Sequence, residues 1–550
     1  FIPGAREGDR YKYSLIRADG RRIHKADPFG FSSELRPRTA SIVARTDGYR
    51  WGDAEWMDAK DKRTPYNRPM LIYEVHLPSW KMDAPERFRT YDQLADELVD
   101  YVKSMGFTHV ELMPVTEHPL DRSWGYQTTG YFAATSRHGP PDGLKRFVDR
   151  CHREGIGVLL DWVPGHFCKD DHGLRLFDGT PLYEDADPCR AEKPLWGTLA
   201  FDYGKPEVRS FLISSALFWF DVYHIDGLRV DAVAHMIDLN LDKPEWMHTR
   251  NRNGGGENLE AIDFLRRLNE AVFRRHPGAL MIAEDSSAYP GVTSPTYLGG
   301  LGFNYKWNMG WMNDVLRYME TDPDHRAARH SLMTFAMLYN YTENFVLPLS
   351  HDEVVHGKRS LLNKMPGSYE EKFANLRLLY GYWMAHPGKK LLFMGGEFAQ
   401  FDEWKFDAGL DWELLKYPLH DAMREFVRTL NFAYLKHPAF WEKDHDPVGF
   451  EWIDVHNAEQ CVLSFLRRGS DAAVVVAVFN FSRTSFPLYR TGVSLPGAYR
   501  LLINSDDAPW GGSGAPVPRT AEAEDVPMHG KRYSLHVPLP ALSFQMWLKE

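Results

Sequence analysis

The stretch that decides the fold runs from Met70 to Val115. It opens with one apolar run, Met70-Leu-Ile-Tyr-Glu-Val-His76, and closes with another, His109-Val-Glu-Leu-Met-Pro-Val115. Runs this short, rich in Val, Leu and Ile, suit strands buried on both faces. A helix is expected between them. Thr90 can cap it, and Gln93 stands three residues on as a capping-box partner. Leu94, Leu98, Val102 and Met105 make one apolar stripe, and Gly106 supplies the stop. Two parallel strands need a crossover of this kind.

The unit repeats downstream. Gly157–Val163, Gly227–Val233, Leu280–Asp285, Asn344–Leu349 and Lys390–Met394 are further apolar runs, with a weaker one near Phe303–Trp307. Helices are expected at about Gly143–Arg153 and Glu207–Tyr223. Strands alternating with helices in this number predict an α/β fold, a (β/α)8 TIM barrel rather than an open sheet. The gap between Gly157–Val163 and Gly227–Val233 is far longer than one helix needs. Residues 166–203, rich in Asp, Gly and Pro, therefore read as a subdomain inserted after strand 3, on the face where barrels keep their chemistry.

The flanks have another texture. In residues 1–55, Tyr11–Ile16 alternates and Lys25–Gly30 reads as a turn. So few strands cannot close a sandwich, which predicts the C-terminal part of a β-sandwich whose front half is absent. The start at Phe1 rather than Met leaves a preceding segment, including a signal peptide, open. Residues 56–68 are polar and linker-like, and the barrel is assigned to 56–435. Residues 436–550 read as an antiparallel β-sandwich, with strands at Cys461–Arg467, Ala472–Phe479, Val493–Ile503 and Tyr533–Val537 and a Gly/Pro-rich loop at Asp506–Arg519.

Composition narrows the function. The 550 residues are 43% hydrophobic and 25% charged, ordinary globular usage. A net charge of −10 is the wrong sign for a nucleic-acid footprint. The longest apolar stretches, such as Phe211–Phe220, fall far short of the ~18 residues of a membrane span. Four cysteines suit a reducing compartment rather than a disulfide scaffold. The 32 Phe, 26 Tyr and 17 Trp fit large cores, or stacking faces for sugars.

Four strand ends carry charge, where a barrel places its catalytic groups. They are Asp161 and His166 in Asp-Trp-Val-Pro-Gly-His, Arg229 and Asp231 in Gly-Leu-Arg-Val-Asp-Ala, Glu284 and Asp285 in Ile-Ala-Glu-Asp-Ser, and His351 and Asp352 in Leu-Ser-His-Asp-Glu-Val. One such carboxylate is usually a helix cap, and one such His a structural group. Four on one closed sheet converge on one pocket, and their mutual repulsion costs stability unless a function keeps it. Arg229 and Asp231 share a strand face, as a structural ion pair or as a nucleophile kept ionised. A general acid has the opposite need, a raised pKa, which neighbouring carboxylates would supply to Glu284 or Asp285; alternation does not choose between them. Two carboxyls of unlike pKa are what glycoside cleavage uses. No His-Glu-x-x-His, Cys-x-x-Cys, EF-hand or Walker A pattern occurs, so neither a cofactor nor a transition metal is expected.

In this order the four blocks resemble the conserved regions of the α-amylase superfamily of glycoside hydrolases. Longer stretches resemble the bacterial 1,4-α-glucan (glycogen) branching enzymes within it: Tyr73-Glu-Val-His, Trp124-Gly-Tyr-Gln, Gly256-Glu-Asn-Leu-Glu-Ala-Ile, Gly299-Gly-Leu-Gly-Phe, Tyr339-Asn-Tyr-Thr-Glu-Asn-Phe, His351-Asp-Glu-Val-Val-His-Gly-Lys and Lys390-Leu-Leu-Phe-Met-Gly. The resemblance covers nearly the whole chain. It implies Asp231 as nucleophile, Glu284 (not Asp285) as general acid/base and Asp352 as the third carboxylate. It implies Asp161, His166, Arg229 and His351 lining the subsite of the attacked glucose, Tyr126 stacking beneath that ring, and Trp124 and Gln127 binding substrate. Many α-amylases carry Asn where this chain has Gly165, and that Asn helps bind calcium, so no required metal is expected. Residues 1–55 resemble the tail of a carbohydrate-binding module. The implied activity is glucan branching in glycogen biosynthesis, in the cytoplasm, on amylose, glycogen and maltooligosaccharides. An amylase-type hydrolase and a catalytically silent glucan-binding protein are the alternatives; the latter would be expected to lack one of the three carboxylates. Oligomeric state is not readable.

Overall fold

The structure is a computed structural model describing residues 3–84, 86–470 and 473–550. Phe1 and Ala472, the first residue of one expected strand, lie outside the described residues. The central element is a closed barrel. Its strands are β1 (Leu71–Val75), β2 (His109–Leu112), β3 (Gly157–Trp162), β4 (Gly227–Val230), β5 (Leu280–Ala283), β6 (Tyr305–Trp307), β7 (Phe345–Leu349) and β8 (Lys389–Phe393). Every neighbouring pair is parallel, and β8 closes on β1 with Lys390 opposite Leu71. Each run read from the sequence is a barrel strand, the weak one at β6 included.

Among the described residues seven longer helices surround it: α1 (Tyr91–Ser104), α2 (Pro141–Arg153), α3 (Pro206–Tyr223), α4 (Leu259–Arg275), α5 (Met309–Met319), α6 (Tyr369–Ala385) and α7 (Pro418–Lys436). The capping box at Thr90 and Gln93 is formed, and Leu94, Leu98, Val102 and Met105 are buried. Strict alternation fails once. The β5–β6 link holds only a 3₁₀ turn, Thr296–Leu298, among Pro290, Gly291, Pro295 and Gly299. Pro and Gly at that density do not sustain a helix. The loop is pinned instead by Glu343, which accepts from Val292 N at 2.9 Å and Thr293 N at 2.7 Å.

The barrel interior changes character from bottom to top. Side chains two apart on a strand share a face. Ile72, Leu159, Leu280, Ile282, Tyr305, Trp307, Val346 and Leu391 pack into one apolar cluster. Two residues further along their strands, Ile72 gives way to Glu74, Leu159 to Asp161 and Ile282 to Glu284. The apolar layers hold the barrel together, and the charged layer sits at its C-terminal mouth.

Residues 166–203 form a small sheet of His166–Phe167, Thr198–Ala200 and Glu192–Lys193 beside that mouth. The N-terminal segment contributes two strand pairs, Arg10–Tyr11 with Ser41–Ile42 and Tyr13–Ile16 with Arg22–Lys25. Lys25 Nζ ties it to the insertion by donating to the carbonyls of Asp171 and Arg175, both at 2.6 Å. The stretch read as a linker begins with a helix, Ala54–Lys60. Tertiary contacts hold it: Trp56 Nε1 donates to Asp226 Oδ1 at 2.8 Å, and Lys60 Nζ to the Ile225 carbonyl at 3.2 Å.

After Phe450 the chain is all-β. One sheet orders β9 (Phe450–Asp454), β10 (Val462–Arg468), β11 (Val474–Asn480), β16 (Ser543–Lys549), β13 (Gly497–Asn504) and β14 (Thr520–Ala523). β12 (Phe486–Val493) pairs with β15 (Tyr533–Leu539) to face it across a core that includes Val462, Val476, Leu535 and Trp547. The expected strand Val493–Ile503 is two strands, because the chain turns through Ser494-Leu-Pro496. The outer face of the large sheet packs on α6. There Gly381 is required for close approach, since a Cβ would lie 2.1 Å from the Phe544 ring.

Candidate active site

The first four residues of the second block place the central pair. Gly227-Leu-Arg-Val is β4, with Asp231 immediately beyond its end. Arg229 and Asp231 share a face and pair, Nη1 to Oδ1, at 2.7 Å. The same Nη1 donates to Asp161 Oδ1 at 2.8 Å, and Nη2 lies 3.7 Å from Glu284 Oε2. One guanidinium thus joins carboxylates from the ends of β3, β4 and β5. It is 1% exposed and stacks over the Trp307 ring with its carbon 4.5 Å from the centroid.

The residue after Asp231 has a part as well. Ala232 adopts a left-handed φ of 51° and turns its N–H onto Glu284 Oε2 at 2.5 Å. A non-glycine residue there is a strained position. Asp285 is turned away. It is 1% exposed, 2.9 Å from Lys306 Nζ, and accepts from Ser287 N. Geometry therefore separates the two acids that alternation could not.

Asp231, Glu284 and Asp352 all line one cavity of about 500 Å³ at the barrel mouth. Trp124, Tyr126, Gln127, His166, Arg229 and His351 line it too. Asp161 does not: it is 1% exposed and lies behind the wall, where Tyr126 OH donates to its Oδ2 at 2.6 Å. That is a correction to its expected place on the subsite surface, and it follows from Asp161 standing one residue short of the end of β3. His166 Nε2 is 3.7 Å from Asp231 Oδ2, and His351 Nε2 is 3.4 Å from Asp352 Oδ1.

The two central carboxyls are tuned apart. Burial raises both, but Arg229 and His166 outweigh it at Asp231 and hold that carboxyl below the usual carboxylate range. At Glu284 burial dominates; Arg229 opposes it while Asp231 and Asp352 reinforce it, and the group is pushed up to about 7. At Asp161 burial also prevails over Arg229, lifting it to about 7. One pocket thus holds an ionised aspartate beside a glutamic acid that keeps its proton near neutrality, the division of labour glycoside cleavage requires.

Several pocket residues escaped the sequence reading. Leu195, Trp196 and Thr198 reach the cavity from the insertion, which was placed on this face without a residue being singled out. Arg122, Ser123, His235 and His356 also line it. His356 was inside a diagnostic stretch, and its ring stacks on Trp124 at 5.1 Å. Among the described residues, no group of three or more His, Cys, Asp and Glu is arranged to hold a metal ion.

Comparison with known proteins places this geometry. Residues 94–176 and 197–464 match the family described as "Alpha amylase, catalytic domain", and 452–550 match "Alpha amylase, C-terminal all-beta domain". A 1,4-alpha-glucan branching enzyme GlgB from Bacillus caldolyticus is 57% identical over 98% of this chain and 80% of its own length. Its counterpart from Halothermothrix orenii is 55% identical over 99% of this chain and 86% of its own. The chain belongs to the 1,4-alpha-glucan branching enzymes. Their fold extends to distant relatives. A putative alpha amylase from Salmonella typhimurium superposes with a TM-score of 0.70 at 19% identity, covering 100% of this chain and 92% of its own. A pullulanase from Anoxybacillus superposes with 0.71 at 15% identity, covering 99% and 79%.

Proposed function

We propose that this branching enzyme cleaves an α-1,4 bond in a linear glucan and transfers the freed segment to a 6-hydroxyl, forming an α-1,6 branch. The observation that carries the mechanism is the pair of oppositely tuned carboxyls, Asp231 and Glu284, on the two ends of the Arg229 guanidinium. Asp231 attacks the anomeric carbon. The bond to the leaving oxygen breaks, and Glu284 gives that oxygen its proton. A glycosyl ester on Asp231 results. Glu284, now a carboxylate, takes the proton of an acceptor 6-hydroxyl, whose oxygen displaces Asp231. Two inversions retain the α configuration. A retaining mechanism holds its carboxyls about 5–5.5 Å apart, in keeping with two groups shared by one guanidinium.

Asp352 grips the sugar hydroxyls and stabilises the oxocarbenium-like transition state, while His166, Arg229 and His351 line the subsite of the attacked glucose. Tyr126 supports the ring, Trp124 and Gln127 bind the flanking glucose units, and Asp161 acts from behind by holding Tyr126 and Arg229. The substrates are linear and branched α-glucans. The reading assigns residues 1–55 to the end of a carbohydrate-binding module, supported by their two strand pairs. It places the enzyme in the cytoplasm, supported by four free cysteines.

Transfer and hydrolysis differ only in whether a sugar hydroxyl or water meets the ester. Linkage analysis by NMR after incubation with amylose tests this: α-1,6 linkages rise, iodine colour falls and reducing ends stay nearly constant. A steep rise in reducing ends without new α-1,6 linkages would make the enzyme a hydrolase.

A further inference from the structure

Beneath the pocket floor lie two glutamates that the mechanism leaves unused. Glu74 on β1 and Glu111 on β2 stand opposite each other in register, and both are fully buried. Their surroundings are unlike. Glu74 is saturated with donors: Oε1 accepts from Ser350 Oγ at 3.1 Å and meets His351 Nδ1 at 2.5 Å, and Oε2 accepts from the His351 backbone N–H at 3.0 Å. Neither carboxyl oxygen of Glu111 has a hydrogen-bond partner among the described residues.

The contacts of His351 fix its protons. Nδ1 faces a carboxylate oxygen and must donate. Nε2 lies 3.2 Å from Tyr126 OH and 3.4 Å from Asp352 Oδ1. Tyr126 OH donates to Asp161 Oδ2, so its oxygen is left to accept from His351 Nε2. Both ring nitrogens then carry hydrogen. The ionisable groups around the ring pull in both directions. Glu74 faces it from β1, Glu111 from β2, Asp161 from β3, Arg229 from β4 and Asp352 from its own turn, with His76 at the end of β1. Burial works against the imidazolium, but Asp352 and Glu74 outweigh it and push His351 up to about 9. Burial acts on Glu111 the opposite way and raises its carboxyl well above the usual range.

We propose that Glu74 is a positioning residue for glycosyl transfer: its carboxylate locks the His351 ring in one orientation as an imidazolium and presents Nε2–H to the sugar beside Asp352. Glu111, its neighbour at the same level of the barrel, makes no hydrogen bond among the described residues and holds no ring. The proposal rests on the reading of Asp231, Glu284 and Asp352 as the reacting site. Its test is read on the free enzyme, so the two can fail separately.

The experiment is an NMR titration of the full chain carrying 13C- and 15N-labelled histidine. The His351 signal is assigned by its loss in His351→Asn. In the wild type the ring is expected to titrate well above the ordinary histidine range. Glu74→Gln keeps the shape and an acceptor but removes the charge, and should lower that midpoint by about one pH unit or more. It should also lower kcat on amylose roughly 10- to 100-fold. Glu111→Gln alters a carboxyl that makes no hydrogen bond to the ring and should leave the midpoint in place. The proposal is overturned if the wild-type ring titrates at or below the ordinary range, if Glu74→Gln leaves the midpoint unmoved, or if Glu111→Gln moves it as far. Should Glu74→Gln not fold, the wild-type midpoint alone decides.

Discussion

At the scale of single residues, chemistry is set by who shares Arg229. Asp231→Asn keeps the shape of the proposed nucleophile and removes its attack. Turnover should fall at least ~10³-fold, about 4 kcal/mol of barrier, with amylose binding retained. A folded variant of near-normal activity would remove Asp231 from its role. The pH dependence follows from the two shifts. Glu284 must hold a proton in the first step, so kcat/KM falls as pH rises through about 7. Asp231 must be ionised, so activity on the acid side persists below the usual carboxylate range before falling. A profile flat up to pH ~9 would contradict the role of Glu284. The sequence displayed the proposed reacting residues because strand ends are visible as apolar runs that stop in charge. It could not separate Glu284 from Asp285 without the family, because that choice depends on Lys306, which stands on another strand. Glu74 was quoted within Tyr73-Glu-Val-His but given no part, since its partner His351 comes from the opposite end of the barrel chain and meets it only when β8 closes on β1.

At the scale of elements, the loop after β2 carries Trp124, Gly125 and Tyr126 into the pocket. It makes its turn through two successive left-handed residues, with φ of 56° at Trp124 and 95° at Gly125. A Cβ on Gly125 would lie 2.3 Å from the Pro114 carbonyl oxygen. Gly125→Ala should therefore move Tyr126 off Asp161. The expected outcome is a loss of kcat of about 10-fold or more with the far-ultraviolet circular dichroism of the barrel preserved. Helix boundaries were legible where caps are local, as at Thr90. The missing helix between β5 and β6 was legible too, in its prolines and glycines, but the regularity of the surrounding pattern concealed it. The helix at Ala54–Lys60 was not, because it is fixed by Asp226 and Ile225, far away in the sequence.

At the scale of the whole molecule, one buried acid ties the barrel to the C-terminal sandwich, beside the packing of the large sheet on α6. Asp444 is 1% exposed, 3.0 Å from Lys389 Nζ on β8 and 2.8 Å from Arg467 Nη2 on β10. Asp444→Asn leaves two buried cations facing a neutral amide. It should cost about 3–5 kcal/mol in denaturant unfolding, and a loss under 1 kcal/mol would show that the cations find other partners. The fold class was readable from the rhythm of runs and helices. The junction was not, because its three members belong to segments that no periodicity connects.

The apolar filling of the lower barrel has one more consequence. A tube stoppered at one end works as a cup, and whatever reaches the glycosyl ester must come over the rim. Water and the incoming sugar hydroxyl therefore queue at the same opening. A long glucan lying across the rim would stand in the path of water as well as supply the hydroxyl.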